Sequence, residues 1–136
     1  MYSMKQACEK SNMTYETLKF YCNEGLVPNV KRNKSNYRIF DDRDIAWLTN
    51  LSCLKKCGMS ILDMKLYISL CLKGKSSIPE RKVMLDKQKA DLMIRISELN
   101  ECIDFINNKQ NFYDDVLEGN VMYHNNLNTI EEYETK

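Results

Sequence analysis

The sequence lacks any apolar run approaching the roughly 18 residues a membrane-spanning helix needs. Its start, Met1-Tyr2-Ser3-Met4-Lys5-Gln6, has no basic stretch followed by an apolar one. Neither a spanning helix nor an export signal is expected, and the chain is expected in the cytoplasm. There is one histidine, His124, set in a polar stretch with no carboxylate or cysteine arranged around it, so an imidazole base would have nothing to work with. There is no C-x-x-C pair: Cys53 and Cys57 stand at C-x-x-x-C spacing inside helix-patterned sequence, the wrong setting for a small thiol oxidoreductase. The six cysteines (Cys8, Cys22, Cys53, Cys57, Cys71, Cys102) fall mostly in helical patterns and not in the short loops of a disulfide scaffold, so free thiols are expected. Repeats and low-complexity linkers are absent too. At 136 residues there is room for one compact unit, or a small domain plus an extended element, and little for an elaborate active site. No catalytic residue, metal or cofactor is expected.

What is present is an ordinary folding composition, 43% hydrophobic and 29% charged. The net charge of +1 conceals an asymmetry. Residues 1–75 hold 13 Lys+Arg against 7 Asp+Glu, a net of +6, and residues 76–136 hold 7 against 12, a net of −5. A basic front and an acidic rear imply a polyanionic partner at one end only.

Local signals divide the front into short elements. Ser3-Met4-Lys5-Gln6 is an S-x-x-Q capping box opening a helix over about Met4 to Lys10. Asn12-Met13 breaks the pattern, and Thr14 caps a second helix with Leu18, Cys22 and Tyr21 as its apolar face and Gly25 at its end. Leu26 to Val30 reads as extended, Lys31 to Asn36 as a basic turn and Tyr37 to Phe40 as a second strand, together a positively tipped β-hairpin. Carboxylates from Asp41 to Asp44 suit the first turn of a third helix, whose apolar residues Ile45, Leu48, Leu51 and Leu54 recur every three positions up to Gly58. Ser60 caps a fourth helix with Ile61, Met64, Ile68 and Cys71 or Leu72 on one face, stopped by Gly74. Ser77-Ile78-Pro79-Glu80 combines a capping box with a first-turn proline and opens a fifth.

From there the period changes to seven. Leu85, Leu92, Leu99, Ile106 and Tyr113 occupy d positions, with Ile96 and Ile103 at a and polar Lys82, Lys89 and Gln110 at the other a positions. This seam, roughly 48 Å long at about 1.5 Å per residue, needs a partner. Leu85, Leu92, Ile96, Leu99, Ile103 and Ile106 are the candidate dimerisation residues, and a seam polar at its ends and apolar in its middle suits antiparallel pairing. The competing reading is a helix that folds back on its own head. The expected fold is therefore mainly α: a winged helix-turn-helix head over residues 1–75 with a two-stranded β wing and a helix pair, an antiparallel coiled-coil dimerisation helix over 77–113, and an acidic, asparagine-rich tail over 114–136 that holds at most a short helix near Asp114 to Leu117.

The order of these elements resembles the MerR family of bacterial transcription regulators. Thr17-Leu18-Lys19-Phe20-Tyr21-Cys22-Asn23-Glu24-Gly25-Leu26-Val27-Pro28 is similar to that family's recognition-helix signature, T-[IL]-R-[YF]-Y-x-x-x-G-L-[LIV]-x-P. Asn36-Tyr37-Arg38-Ile39-Phe40-Asp41-Asp42-Arg43-Asp44-Ile45 resembles its wing-to-helix signature, [NG]-Y-R-x-[YF]-x-x-x-D-[IL], and Cys57-Gly58-Met59-Ser60-Ile61 the turn between its third and fourth helices. The likeness spans about residues 3 to 113. It implies a homodimer on double-stranded promoter DNA, acting on RNA polymerase only indirectly, by bending and untwisting an over-long promoter spacer when an effector is present. Thr14, Tyr15, Thr17 and Lys19 are then the candidates at base edges. The resemblance sets Tyr21, Tyr37 and Arg38 against phosphates, with Lys31, Arg32 and Lys34 adding charge at the wing tip. Lys19 departs from the usual arginine and loses its planar fork of donors, and Phe20 carries no hydroxyl. Phe20 and Tyr37 also fit a plain core role, Phe20 the more readily of the two.

The signal is narrowed by what the resemblance requires. Metal-sensing members need thiolates at the start of the long helix and just after it, yet the helix opens Ser77-Ile78-Pro79-Glu80 and no cysteine follows Cys102. Cys53-Leu54-Lys55-Lys56-Cys57-Gly58-Met59-Ser60 is similar to the thiol-based, aldehyde- or electrophile-responsive branch, which makes Cys53 the candidate effector residue, favoured as thiolate by Lys55 and Lys56. Cys53 also fits as a small core hydrophobe, and Cys8, Cys22, Cys71 and Cys102 as core or seam fillers. The reading outside DNA binding is a coiled-coil protein-interaction module, which leaves the basic wing without a purpose.

Overall fold

The computed structural model describes residues 1–127. Its elements run α1 (Met4–Ser11), α2 (Tyr15–Asn23), β1 (Lys31–Arg32), β2 (Arg38–Ile39), α3 (Asp42–Lys56), α4 (Ile61–Leu72), a 3-10 turn at Lys75–Ser77 and α5 (Ile78–Leu117). The chain is mainly helical with a two-stranded antiparallel wing and a long C-terminal helix, and it divides into two compact units, Met1–Ala90 and the segment from Asp91 onward. The expected tail over 114–136 falls in part, from residue 128 on, outside the described residues.

Caps set the boundaries in the first unit. The Ser3 hydroxyl accepts from the Gln6 N–H while the Gln6 side chain takes the Ser3 N–H, the reciprocal box that satisfies two orphan donors of α1. Thr14 caps α2 through the Thr17 N–H, and Asp41 and Asp44 form a second box at α3. Ser60 caps α4 through the Asp63 N–H. At the end of α2, Gly25 takes φ 76°, which lets its N–H reach the Cys22 carbonyl and the Leu26 N–H reach that of Tyr21. This Schellman closure turns the chain and drives Leu26 into the core.

That core gathers one face from each short helix. Leu18 of α2, Leu48 and Leu51 of α3, Met64 of α4, and Leu26 and Phe40 beside the wing are completely buried. Each such side chain contributes about 1.5–3 kcal/mol relative to exposure. α1 packs on both α2 and α3.

Three expectations are corrected. Leu26 to Val30 is no strand. Leu26 and Val27 are both buried, which the alternation of an exposed hairpin edge forbids, and the Trp47 indole N–H takes the Leu26 carbonyl at 2.8 Å. The first strand begins at Lys31, so Lys31 and Arg32 belong to β1, paired with Ile39 and Arg38, and the turn is Asn33–Asn36 with Asn36 at φ 66°. Tyr2 extends this small sheet by a bridge to Phe40. Second, Ser77 forms no box with Glu80. Its buried hydroxyl bonds back to the Leu70 carbonyl at the end of α4 and accepts from the Arg81 guanidinium. Third, Asp114 to Leu117 is the last turn of α5 and not a separate helix, since the stop comes only at Gly119, φ 79°.

α5 itself is 40 residues long and has no buried residue. Leu85, Ile96, Leu99, Ile103 and Ile106 remain 40–63% exposed along the seam, and Leu92 is half-buried. A water-facing apolar seam of this length is left uncovered by the described residues. Cys102, expected as a filler, is exposed, as is Leu72 on α4.

Candidate nucleic-acid interface

The interface is built from α2 and the wing. Side chains on α2 that reach solvent are Tyr15, Glu16, Lys19 and Phe20, with Asn23 in the last turn. Tyr15 and Lys19, four residues apart, share a face. The predicted base-edge group divides. Tyr15 and Lys19 are open, Thr17 is half-buried, and the Thr14 hydroxyl is committed to the cap, accepting the Thr17 N–H at 3.2 Å and donating to the Thr17 hydroxyl at 2.9 Å.

The wing is shaped by its own turn. Asn33 accepts the Ser35 and Tyr37 N–H groups with its side-chain oxygen, and Asn36 adopts the left-handed region, a type I turn closed by a bulge. Arg32 donates to the Asn36 carbonyl at 2.8 Å. Lys34 sits at the apex and Tyr37 beside it, 72% exposed, so Tyr37 is not part of the core. Lys19 and Lys34 form no ion pair among the described residues, which leaves both charges to an incoming anion.

One contact joins the two parts. Arg38 of β2 donates from its guanidinium to the Asn23 side-chain oxygen at 2.6 Å, fixing the wing against the last turn of α2. Lys65 of α4 ties Glu24 at 2.7 Å, and Trp47 holds the connector between, so the end of α2 is gripped from three sides. Sequence reasoning found Arg38 but neither Asn23 nor the Lys65–Glu24 pair. Their separations of 15 and 41 residues carry no local signal.

Electrostatics at the root of the wing are set by Asp41. The Asp44 N–H holds its carboxyl below the ordinary value; burial opposes this, and Lys31, at 3.7 Å, adds to the lowering. Burial pushes the Asp44 carboxyl up. Tyr2 donates its hydroxyl to Asp42 at 2.7 Å, which raises its pKa, and Lys10 lies over its ring at 4.7 Å.

The two neighbouring aromatics of α2 part: Tyr21 lies on the apolar face expected of it, and Phe20 lies outside the core. Tyr21 is buried in the core cluster, and its hydroxyl, with no partner among the described residues, does not reach the surface to hold a phosphate. Phe20, expected in the core, is 45% exposed. The reason is phase: Leu18 and Tyr21, three apart, both belong to the core cluster, which turns Phe20 outward. Cys53 is exposed on α3 and does not serve as core, and Cys57 caps the end of that helix.

A small helical head with an α1–turn–α2 pair, a basic wing and a long following helix defines a winged helix-turn-helix protein. The model of the MerR HTH family of regulatory proteins matches residues 2–70. An uncharacterised HTH-type transcriptional regulator of Haemophilus influenzae is 38% identical over 82% of this chain and 83% of its own length. The structure of HiNmlR, a MerR family regulator lacking the sensor domain, bound to promoter DNA, is 36% identical and superposes with a TM-score of 0.71 over 86% of this chain and 93% of that one. A MerR-type regulator of Listeria monocytogenes, described as putative, gives a TM-score of 0.77 at 30% identity, over 88% and 90% of the two chains. The chain belongs to the MerR family of helix-turn-helix transcriptional regulators. It carries no separate effector domain among the described residues, and none of its helices there is long and apolar enough to cross a membrane.

Proposed function

We propose that the chain acts as a homodimer that grips double-stranded promoter DNA, with α2 in the major groove and the wing on the flanking backbone. The Arg38–Asn23 bond carries this reading, because it couples the charged wing rigidly to the helix whose Tyr15 and Lys19 stand open. Tyr15 and Lys19, supported by Thr14 and Thr17, read base edges; Arg32, Lys34, Tyr37 and Arg38 hold phosphates. The promoter complex of HiNmlR supports the same kind of ligand here. Residues 1–75 form the DNA-binding domain, 77–113 the dimerisation helix and 114–136 an acidic tail. Two copies pair antiparallel through Leu85, Leu92, Ile96, Leu99, Ile103 and Ile106, distort an over-long spacer, and so reach RNA polymerase through the DNA alone. The protein works in the cytoplasm and is not an enzyme. Cys53 receives an aldehyde or quinone as the switching signal, a reading supported by its exposure.

The test is binding to a duplex from the chain's own upstream region and to a random duplex over a salt series. Lys34→Ala should weaken both alike and reduce the salt slope by about one, whereas Lys19→Ala should cost about 1–3 kcal/mol of discrimination between them. Indifference to every duplex at low ionic strength overturns the reading. For the switch, an unchanged formaldehyde response of transcription in Cys53→Ser removes Cys53 from the mechanism.

A further inference from the structure

The second unit contains a cavity that the DNA-binding reading leaves unused. Past Gly119 the chain reverses and lies along the last turns of α5, with the His124 ring tilted at 49° against that of Phe112 at a centroid distance of 4.6 Å. Between the helix and the returning segment is a space of about 520 Å³. That is within the range of small-molecule sites, roughly 300–1,000 Å³. Five rings line it, from Phe105, Phe112, Tyr113, Tyr123 and His124.

The polar groups among these rings set the chemistry. Lys109 lies over the Phe105 ring at 5.8 Å and makes no ion pair among the described residues. Asn108 and Asn125 add amides to the wall, and Asn125 is oriented by bonds to the Tyr123 hydroxyl and the Leu127 N–H. Ring faces select a flat ligand, because offset stacking recovers dispersion only from a planar partner. An unpaired ammonium selects a negative charge, most strongly where rings exclude part of the water around it.

The cavity is also compatible with pairing of the long helix. At about 100° per residue, Phe105, Lys109 and Phe112 fall on one side of α5, roughly 140° around from the middle of the seam of Ile96, Leu99, Ile103 and Ile106. A partner helix on the seam meets Tyr113, itself a seam position, and leaves Phe105, Lys109 and Phe112 on the uncovered side. We propose that this cavity binds a small planar aromatic carboxylate, stacked on Phe112 and paired with Lys109. Resting on the regulator reading above, it is an input for such acids separate from Cys53.

The experiment titrates the full-length protein with 2-naphthoate, followed by the ligand's own fluorescence, with cyclohexanecarboxylate as a competitor of equal charge and no flat ring. Saturable naphthoate binding is expected, weakened about ten-fold or more in Lys109→Met, which keeps the stem and removes the charge, and likewise in Phe112→Leu. Cyclohexanecarboxylate should compete at least about ten-fold less well. Operator binding by the ligand-free variants should equal that of the parent, which shows that they fold and separates this site from the DNA reading. No saturable binding at millimolar naphthoate, or binding that both substitutions leave unchanged, overturns the proposal.

Discussion

The head and the second unit use apolar residues in opposite ways. In Met1–Ala90, Leu18, Leu26, Phe40, Leu48, Leu51 and Met64 are sealed from water by one another, while Leu62, Leu66 and Leu72 of α4 stay exposed. In α5 no residue is buried, and a seam of leucines and isoleucines stands half in water. The first set closes on itself, whereas the second carries the period of seven that a partner helix would cover in the pairing proposed above.

The largest effect that would sharpen this contrast is Phe40→Ala. Emptying a site that is fully enclosed should cost about 3–5 kcal/mol of head stability, read from urea unfolding by the fluorescence of Trp47, the chain's single tryptophan. A loss under about 1 kcal/mol would mean that the head is looser than its packing implies. Next is Leu99→Asp, which sets a charge in the middle of the seam. Self-association measured by sedimentation should weaken about a hundred-fold, while the Trp47 unfolding midpoint stays that of the dissociated parent. An undiminished dimer would break the comparison, since the seam would not be the surface that needs covering.

The smallest effect concerns acid. The Asp41 carboxyl is held below its ordinary value in the folded chain, so the folded state binds fewer protons than the unfolded one. Its stabilisation is complete above the ordinary carboxylate range and disappears as pH falls through the folded value. Asp44, pushed up by burial, works in the other direction: it costs stability above its folded value, and that cost fades as pH falls. The gap in urea midpoint between the parent and Asp41→Ala should therefore be widest at neutral pH and close below the carboxylate range. A gap independent of pH would mean that the capping carboxylate contributes no charge-dependent term.

The elements whose signals are local were legible in the sequence. Ser3 with Gln6, Thr14, Asp41 and Ser60 each bond to a backbone N–H within three residues, so a reader of the chain has both partners in view. The connector from Leu26 to Val30 was misread as a strand because the Trp47 indole that claims the Leu26 carbonyl comes 21 residues later. Ser77 looked like a helix cap for the same reason, since the Leu70 carbonyl it serves lies seven residues back across a turn. Of the candidate interface, Lys19, Arg32, Lys34 and Tyr37 were named from the sequence and its resemblance, and all four are exposed. Asn23, which orients Arg38, was not, and Tyr21 lies on the apolar face read for it and not at the phosphate position the resemblance implied.

By itself, then, the chain's order of residues determined where helices start and stop, that a positively charged hairpin follows the second of them, and that the last helix repeats every seven residues. These depend on contacts a few positions apart, which hardly vary with the rest of the molecule. Only the tertiary structure decided that Phe20 faces water, that Asn23 and Lys65 lock the end of α2, and that the segment after Gly119 returns beside α5 to form a ring-lined cleft. Each of these depends on which surfaces meet when distant segments compete for the same burial, and that competition is resolved only in three dimensions.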